Sequence, residues 1–181
     1  MVYRNMNKES LENQWLVAKA YSFEELLDNK GYLVYTNVGT SMLPLLRQRR
    51  DIIEIRRKDP ATRCKKYDAV LYKRGSKYIL HRIVKVRPND YVIVGDHCIW
   101  REYGITDDMI LGVMTRVIRD EKTIDVNTNK LYKLYVHLWC DFYHVRVAIL
   151  YLKRLAYAAF RKLKRMLKPA SSKDGGEEAD E

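Results

Sequence analysis

The hydrophobic period of this chain changes twice, and the two changes limit the folds open to it. From Gly31 onward apolar and polar residues alternate, which is the period of a strand. From about Leu131 apolar residues recur at three and four, which is the period of a helix. The alternating region predicts strands over 32–36, 51–56, 68–73, 77–86, 91–95 and 110–118. Lys73-Arg74-Gly75-Ser76 and Arg87-Pro88-Asn89-Asp90 supply tight turns between neighbours. Short turns force antiparallel pairing. The expected fold is therefore mainly β, a compact coiled antiparallel sheet with short N-terminal helices and a long C-terminal cationic amphipathic helix.

Four segments follow from that division: a helical lead-in over 1–30, a β domain over 31–129, a helical arm over 130–169 and an acidic tail over 170–181. In the lead-in, Ser22 followed by Glu25 is a capping-box pattern, and it opens a short helix over 23–28 that stops at Gly31. Leu11, Trp15, Leu16, Ala18 and Ala20 suit a second, earlier helix. The arm carries Leu131, Leu134, Leu138 and Phe142, then Ile149, Leu152, Leu155 and Leu163, at helical spacing as one helix or two, with lysines and arginines between them. Pro169 ends it. Residues 171–181 hold no apolar side chain larger than that of Ala179 and are expected to be disordered.

The formal charge of +11 is uneven. Lys130 to Pro169 holds about +9 of it, and the last dozen residues roughly −4. So local an excess points to a docking surface for an anionic partner. Cys64, Cys98 and Cys140 lie far apart with no zinc-type spacing, so a reducing compartment is expected. Neither a signal peptide nor a spanning helix is evident, so the expected location is cytoplasmic or peripheral at a membrane.

The stretch that ordinary strand and turn do not account for is Val38-Gly39-Thr40-Ser41-Met42-Leu43-Pro44. A glycine before a hydroxyl, with a proline after it, can present Ser41 at a strand edge. A nucleophilic serine also needs a base. The strand over 77–86 places Ile79, His81, Ile83 and Lys85 on one face, and Tyr78, Leu80, Arg82, Val84 and Val86 on the other. Between two β-branched neighbours the His81 imidazole is partly desolvated, which favours the neutral form a base requires. Taken singly, His81 is more often a packed strand histidine. Asp96 ends the next strand, and Glu102 falls in a loop six residues later. Either carboxylate could orient the ring.

In order, Gly39-x-Ser41-Met42-x-Pro44, Asp51-Ile52-Ile53, Tyr67-Asp68-Ala69-Val70-Leu71-Tyr72, Leu80-His81-Arg82-Ile83-Val84, Gly95-Asp96 and Ile110-Leu111-Gly112-Val113 resemble the signal peptidase I superfamily, which includes the LexA-type self-cleaving proteins. The resemblance covers about residues 31–118. It implies a histidine-base serine endopeptidase with Ser41 as nucleophile, His81 as base, and Asp96 and Glu102 at the two acidic positions. Glu102 stands where better-known members have aspartate. Gly39 stands where the lysine-base members have a hydroxyl, so the oxyanion would rest on the backbone N–H of Ser41.

The implied reaction is acyl transfer that needs no metal and no cofactor. The substrate is a protein or leader peptide bound as an extended strand. Residues 131–168 would meet an anionic membrane surface, with packing on the β domain or on a second copy as the plainer reading. The alternative function is a non-catalytic binding module docking nucleic acid or membrane through its basic arm. Absence of a helix-turn-helix pattern at the N-terminus counts against nucleic acid.

Overall fold

The computed structural model describes residues 22–166. The helix expected over 11–20, the stop at Pro169 and the acidic tail lie outside the described residues. The chain divides into two compact units, one running to Tyr143 and one starting at His144.

The first unit is mainly an antiparallel sheet of eight strands. Helix α1 (Phe23–Lys30) precedes it. Its capping box closes both ways: Glu25 N–H donates to Ser22 Oγ at 3.2 Å, and Ser22 N–H to Glu25 Oε2 at 2.7 Å. Gly31 ends the helix with φ +74°, a left-handed conformation that costs glycine nothing. Then come β1 (Tyr32–Thr36), β2 (Ile52–Arg57), β3 (Ala69–Arg74), β4 (Lys77–Val86), β5 (Tyr91–Val94), β6 (Glu102–Ile105), β7 (Ile110–Arg119) and β8 (Lys122–Asp125). The sheet runs β1-β2-β7-β3-β4-β5-β6. β7 pairs with β2 along one edge; β3 takes its start and β8 its end along the other.

Two strands lack a sequence expectation. β6 is Glu-Tyr-Gly-Ile, too short to show alternation, with Gly104 at φ +72°. β8 is Lys-Thr-Ile-Asp, joined to β7 through Asp120 and Glu121 at φ +46° and +65°. Asp120 tolerates positive φ but glutamate rarely adopts it, so Asp-Glu is a weak turn signal in the sequence.

The alternation in β4 sends side chains into two separate cores. Leu80 joins Leu27, Ile53, Leu71, Met114 and Val136 on one side, with Tyr78 and Val84 packed against them. Ile83 joins Val70, Tyr72, Tyr91, Ile93 and Ile110 on the other, with Ile79 alongside.

The helical region is two helices, α2 (Lys130–Asp141) and α3 (Tyr143–Met166). α2 starts at the residue expected for the helical arm, and it packs on the sheet. Its Tyr132, Val136 and Cys140 are buried in the core shared with the sheet. Asn129 caps it, accepting from Tyr132 N–H at 2.8 Å. α3 forms the described part of the second unit from His144 on.

Candidate active site

Ser41 lies in the connection between β1 and β2, and the connection is pinned at several points. Met42 and Leu46 are buried in the core. Asn37 Nδ2 donates to Gly39 O at 2.8 Å. At the far end, Asp51 is fully buried and accepts from Arg47 N–H and Arg47 Nε, each at 2.9 Å, and from Arg119. Burial alone would raise the Asp51 pKa, but bonds from Arg119 and Arg47 overcome it and hold the carboxyl below its ordinary value. Arg119 also donates to Leu45 O. The backbone around the serine is therefore held from within.

The Ser41 carbonyl accepts from His97 N–H at 2.7 Å, which ties this connection to the turn after β5. Gly95 sits at the junction. A Cβ there would lie 2.6 Å from Ser41 O, 2.7 Å from Cys98 Sγ and 2.9 Å from His81 Nε2. No side chain fits against all three, so the backbone of Ser41, the thiol of Cys98 and the outer nitrogen of His81 close on one point only because residue 95 is glycine. Ser41 Oγ itself lies 3.9 Å from the corresponding Cβ position at Gly39. Among the described residues no hydrogen bond joins that hydroxyl to His81, and the Ser41 N–H has no acceptor.

His81 occupies the β4 face that packs on Val70 and Tyr72, and its side chain is 9% exposed. Its other nitrogen, Nδ1, is 2.8 Å from Glu102 Oε1. Glu102 is held in turn: Tyr72 OH donates to Oε2 at 2.9 Å and Arg74 to the same oxygen at 2.5 Å. A carboxylate at Nδ1 fixes the tautomer with its proton there and leaves Nε2 as the basic lone pair. Desolvation lowers the His81 pKa below its ordinary value, and the pull of Glu102 in the opposite direction does not cancel it.

Asp96 is elsewhere. It is fully buried, and Arg82, pointing to the opposite face of β4, clasps it with Nε to Oδ1 at 2.9 Å and an amino nitrogen to Oδ2 at 2.8 Å. Tyr135 OH donates to Oδ2 at 3.1 Å. Of the two carboxylates expected to orient His81, Glu102 touches the ring and Asp96 is paired with Arg82. α2 belongs to this framework. Trp139 Nε1 donates to Asp96 O at 2.7 Å and Tyr143 OH to Ile99 O at 2.7 Å, so α2 and Tyr143, two residues beyond its end, hold the loop that carries Gly95 and Cys98.

Three participants lack a sequence expectation: Tyr72, Arg74 and Cys98. The first had a signal. The turn at Gly75-Ser76 fixes Tyr72 opposite Ile79 and Val70 opposite His81, which places Tyr72 diagonally beside His81 on one face. Arg74 and Cys98 had none. No group of three or more His, Cys, Asp or Glu side chains among the described residues is placed to share a metal ion. No protein-family model, curated protein or solved structure matches the chain.

Proposed function

We propose that this protein is a serine endopeptidase of the signal-peptidase type, acting through Ser41, His81 and Glu102, on a coiled sheet of that kind. The observation that carries the reading is the position of His81, with Glu102 at 2.8 Å on Nδ1 and the Ser41 backbone beside Nε2. Ser41 Oγ must meet Nε2 when a substrate is bound. Catalytic hydrogen bonds often tighten only with substrate bound.

In the proposed reaction, Nε2 takes the Oγ proton as the oxygen attacks a peptide carbonyl. The Ser41 N–H stabilises the oxyanion. Glu102 holds the imidazolium, which returns its proton to the leaving amine as the C–N bond breaks. Water then attacks the ester, giving up a proton through His81, and the free acid and Ser41 are regenerated. The peptide binds along β1, whose recorded partner among the described residues is β2 alone, leaving the other edge for an added strand.

The test is reaction with a fluorophosphonate, followed by peptide mapping. The expected result is a single adduct on Ser41, lost in Ser41→Ala, whose unfolding transition stays unchanged. A chain that takes no adduct, or takes it equally in Ser41→Ala, ends the assignment.

A further inference from the structure

Helix α3 is built as two opposed faces, and the sequence of each is specific. At ~100° per residue, Ile149, Leu152, Leu155, Phe160, Leu163 and Met166 fall within an arc of about 140°. All six are exposed, by 38% for Ile149 up to 74% for Met166. The remaining arc carries Lys153, Arg154, Arg161, Lys162, Lys164 and Arg165, all exposed. No aspartate or glutamate occurs between Tyr143 and Met166. No described helix is long and apolar enough to cross a membrane.

We infer that α3 is a docking element for an anionic lipid surface, lying in the interface with its apolar arc among the acyl chains and its cations among the headgroups. Two alternative occupants fit the same residues less well. A second copy of α3 could cover the apolar arc, since Val145, Ile149, Leu152, Ala156, Ala159 and Leu163 follow the alternating spacing of a coiled coil. The flanking positions would then include Lys153 and Lys162, with no acidic residue on the helix to pair with them. Nucleic acid would neutralise the cations but leave Leu152, Leu155 and Leu163 in water. An anionic bilayer satisfies both arcs at once. This inference does not depend on the chemistry proposed for Ser41.

The experiment is co-sedimentation of the full chain with sucrose-loaded vesicles of phosphatidylcholine, with and without 30% phosphatidylserine. Binding is expected on the mixed vesicles and not on the neutral ones, and is expected to weaken as salt rises. Replacing Lys153 and Arg154 by glutamine should reduce the partition coefficient about fivefold per residue. Leu152→Asp with Phe160→Asp should reduce it at least tenfold. Ser41→Ala should bind as the unchanged chain does, so a failure of the peptidase reading leaves this result intact. Equal sedimentation with neutral and anionic vesicles overturns the proposal without recourse to any variant. Absence of vesicle binding overturns it too, whether accompanied by a dimer that dissociates in Leu152→Asp or by salt-sensitive binding of an oligonucleotide.

Discussion

His81 and Arg82 are neighbours on one strand, each faces a carboxylate, and the two pairs do different work. Arg82 and Asp96 are wholly buried, and the arginine also donates to Tyr67 O and Tyr132 OH at 2.9 Å each. Every group in that cluster points at another, so nothing is left to react. His81 and Glu102 are 9% and 21% exposed, and Nε2 opens on Ser41 O and Cys98 Sγ rather than on a fixed charge. A strand that alternates its side chains can therefore place a fully buried ion pair on one face of the sheet and a partly open histidine–carboxylate pair on the other.

The largest expected effect belongs to the closed pair. Arg82→Met leaves the Asp96 carboxylate buried with Tyr135 as its remaining side-chain donor and should lower stability by about 3–5 kcal/mol, read from urea unfolding. His81→Gln should stay within about 1 kcal/mol of the unchanged chain, as its partner Glu102 keeps Tyr72 and Arg74. Equal losses from both would abolish the distinction between the pairs.

Next comes the open pair. Glu102→Gln keeps the size but removes the charge that holds the imidazolium and the tautomer. Its rate of fluorophosphonate labelling at Ser41 should fall by about 10²–10³, within the range general-base assistance supplies. Asp96→Asn should unfold more readily, while the folded fraction labels at close to the unchanged rate. The reverse pattern, with Asp96→Asn inert and Glu102→Gln reactive, would return the orienting role to Asp96.

Much of this contrast was legible in the sequence because it depends on strand alternation. Ile79, His81 and Ile83 on one face, with Tyr78, Leu80 and Arg82 on the other, needed only a period of two and a hairpin. The choice between Asp96 and Glu102 was not legible. It turns on β6, whose four residues carry no alternation, and on Arg82, whose reach to Asp96 depends on how the turn after β5 folds back. The role of α2 was hidden for a related reason. Its apolar residues lie on more than one side, with Tyr132 and Val136 buried and Leu131, Leu134 and Leu138 exposed. Period alone cannot say which side meets the sheet.

Tyr72 sharpens the comparison at smaller scale. Its hydroxyl donates to the Glu102 oxygen that Arg74 also holds. Tyr72→Phe removes one of two supports and should slow labelling about fivefold, the equivalent of a hydrogen bond worth about 1 kcal/mol. Arg74→Met should act in the same direction, and the double variant should approach Glu102→Gln. If both singles label at the unchanged rate, Glu102 is held by the sheet alone.

The smallest effect is a pH dependence confined to the open pair. Because burial lowers the folded pKa of His81 below its ordinary value near 6.5, the unfolded chain takes up the proton first as pH falls. The stabilising contribution of neutral His81 is therefore complete above about pH 6.5 and is lost as pH drops through and below that value. The stability gap between the unchanged chain and His81→Gln should narrow on acidification, with a slope no steeper than about 1.4 kcal/mol per pH unit. The acid limb of Ser41 labelling should have its midpoint below pH 6.5. In Glu102→Gln it should move further toward acid, since the carboxylate favours the imidazolium. A limb centred above pH 6.5 in the unchanged chain would mean that Glu102 outweighs burial, and the two pairs on β4 would then differ in access to solvent but not in charge.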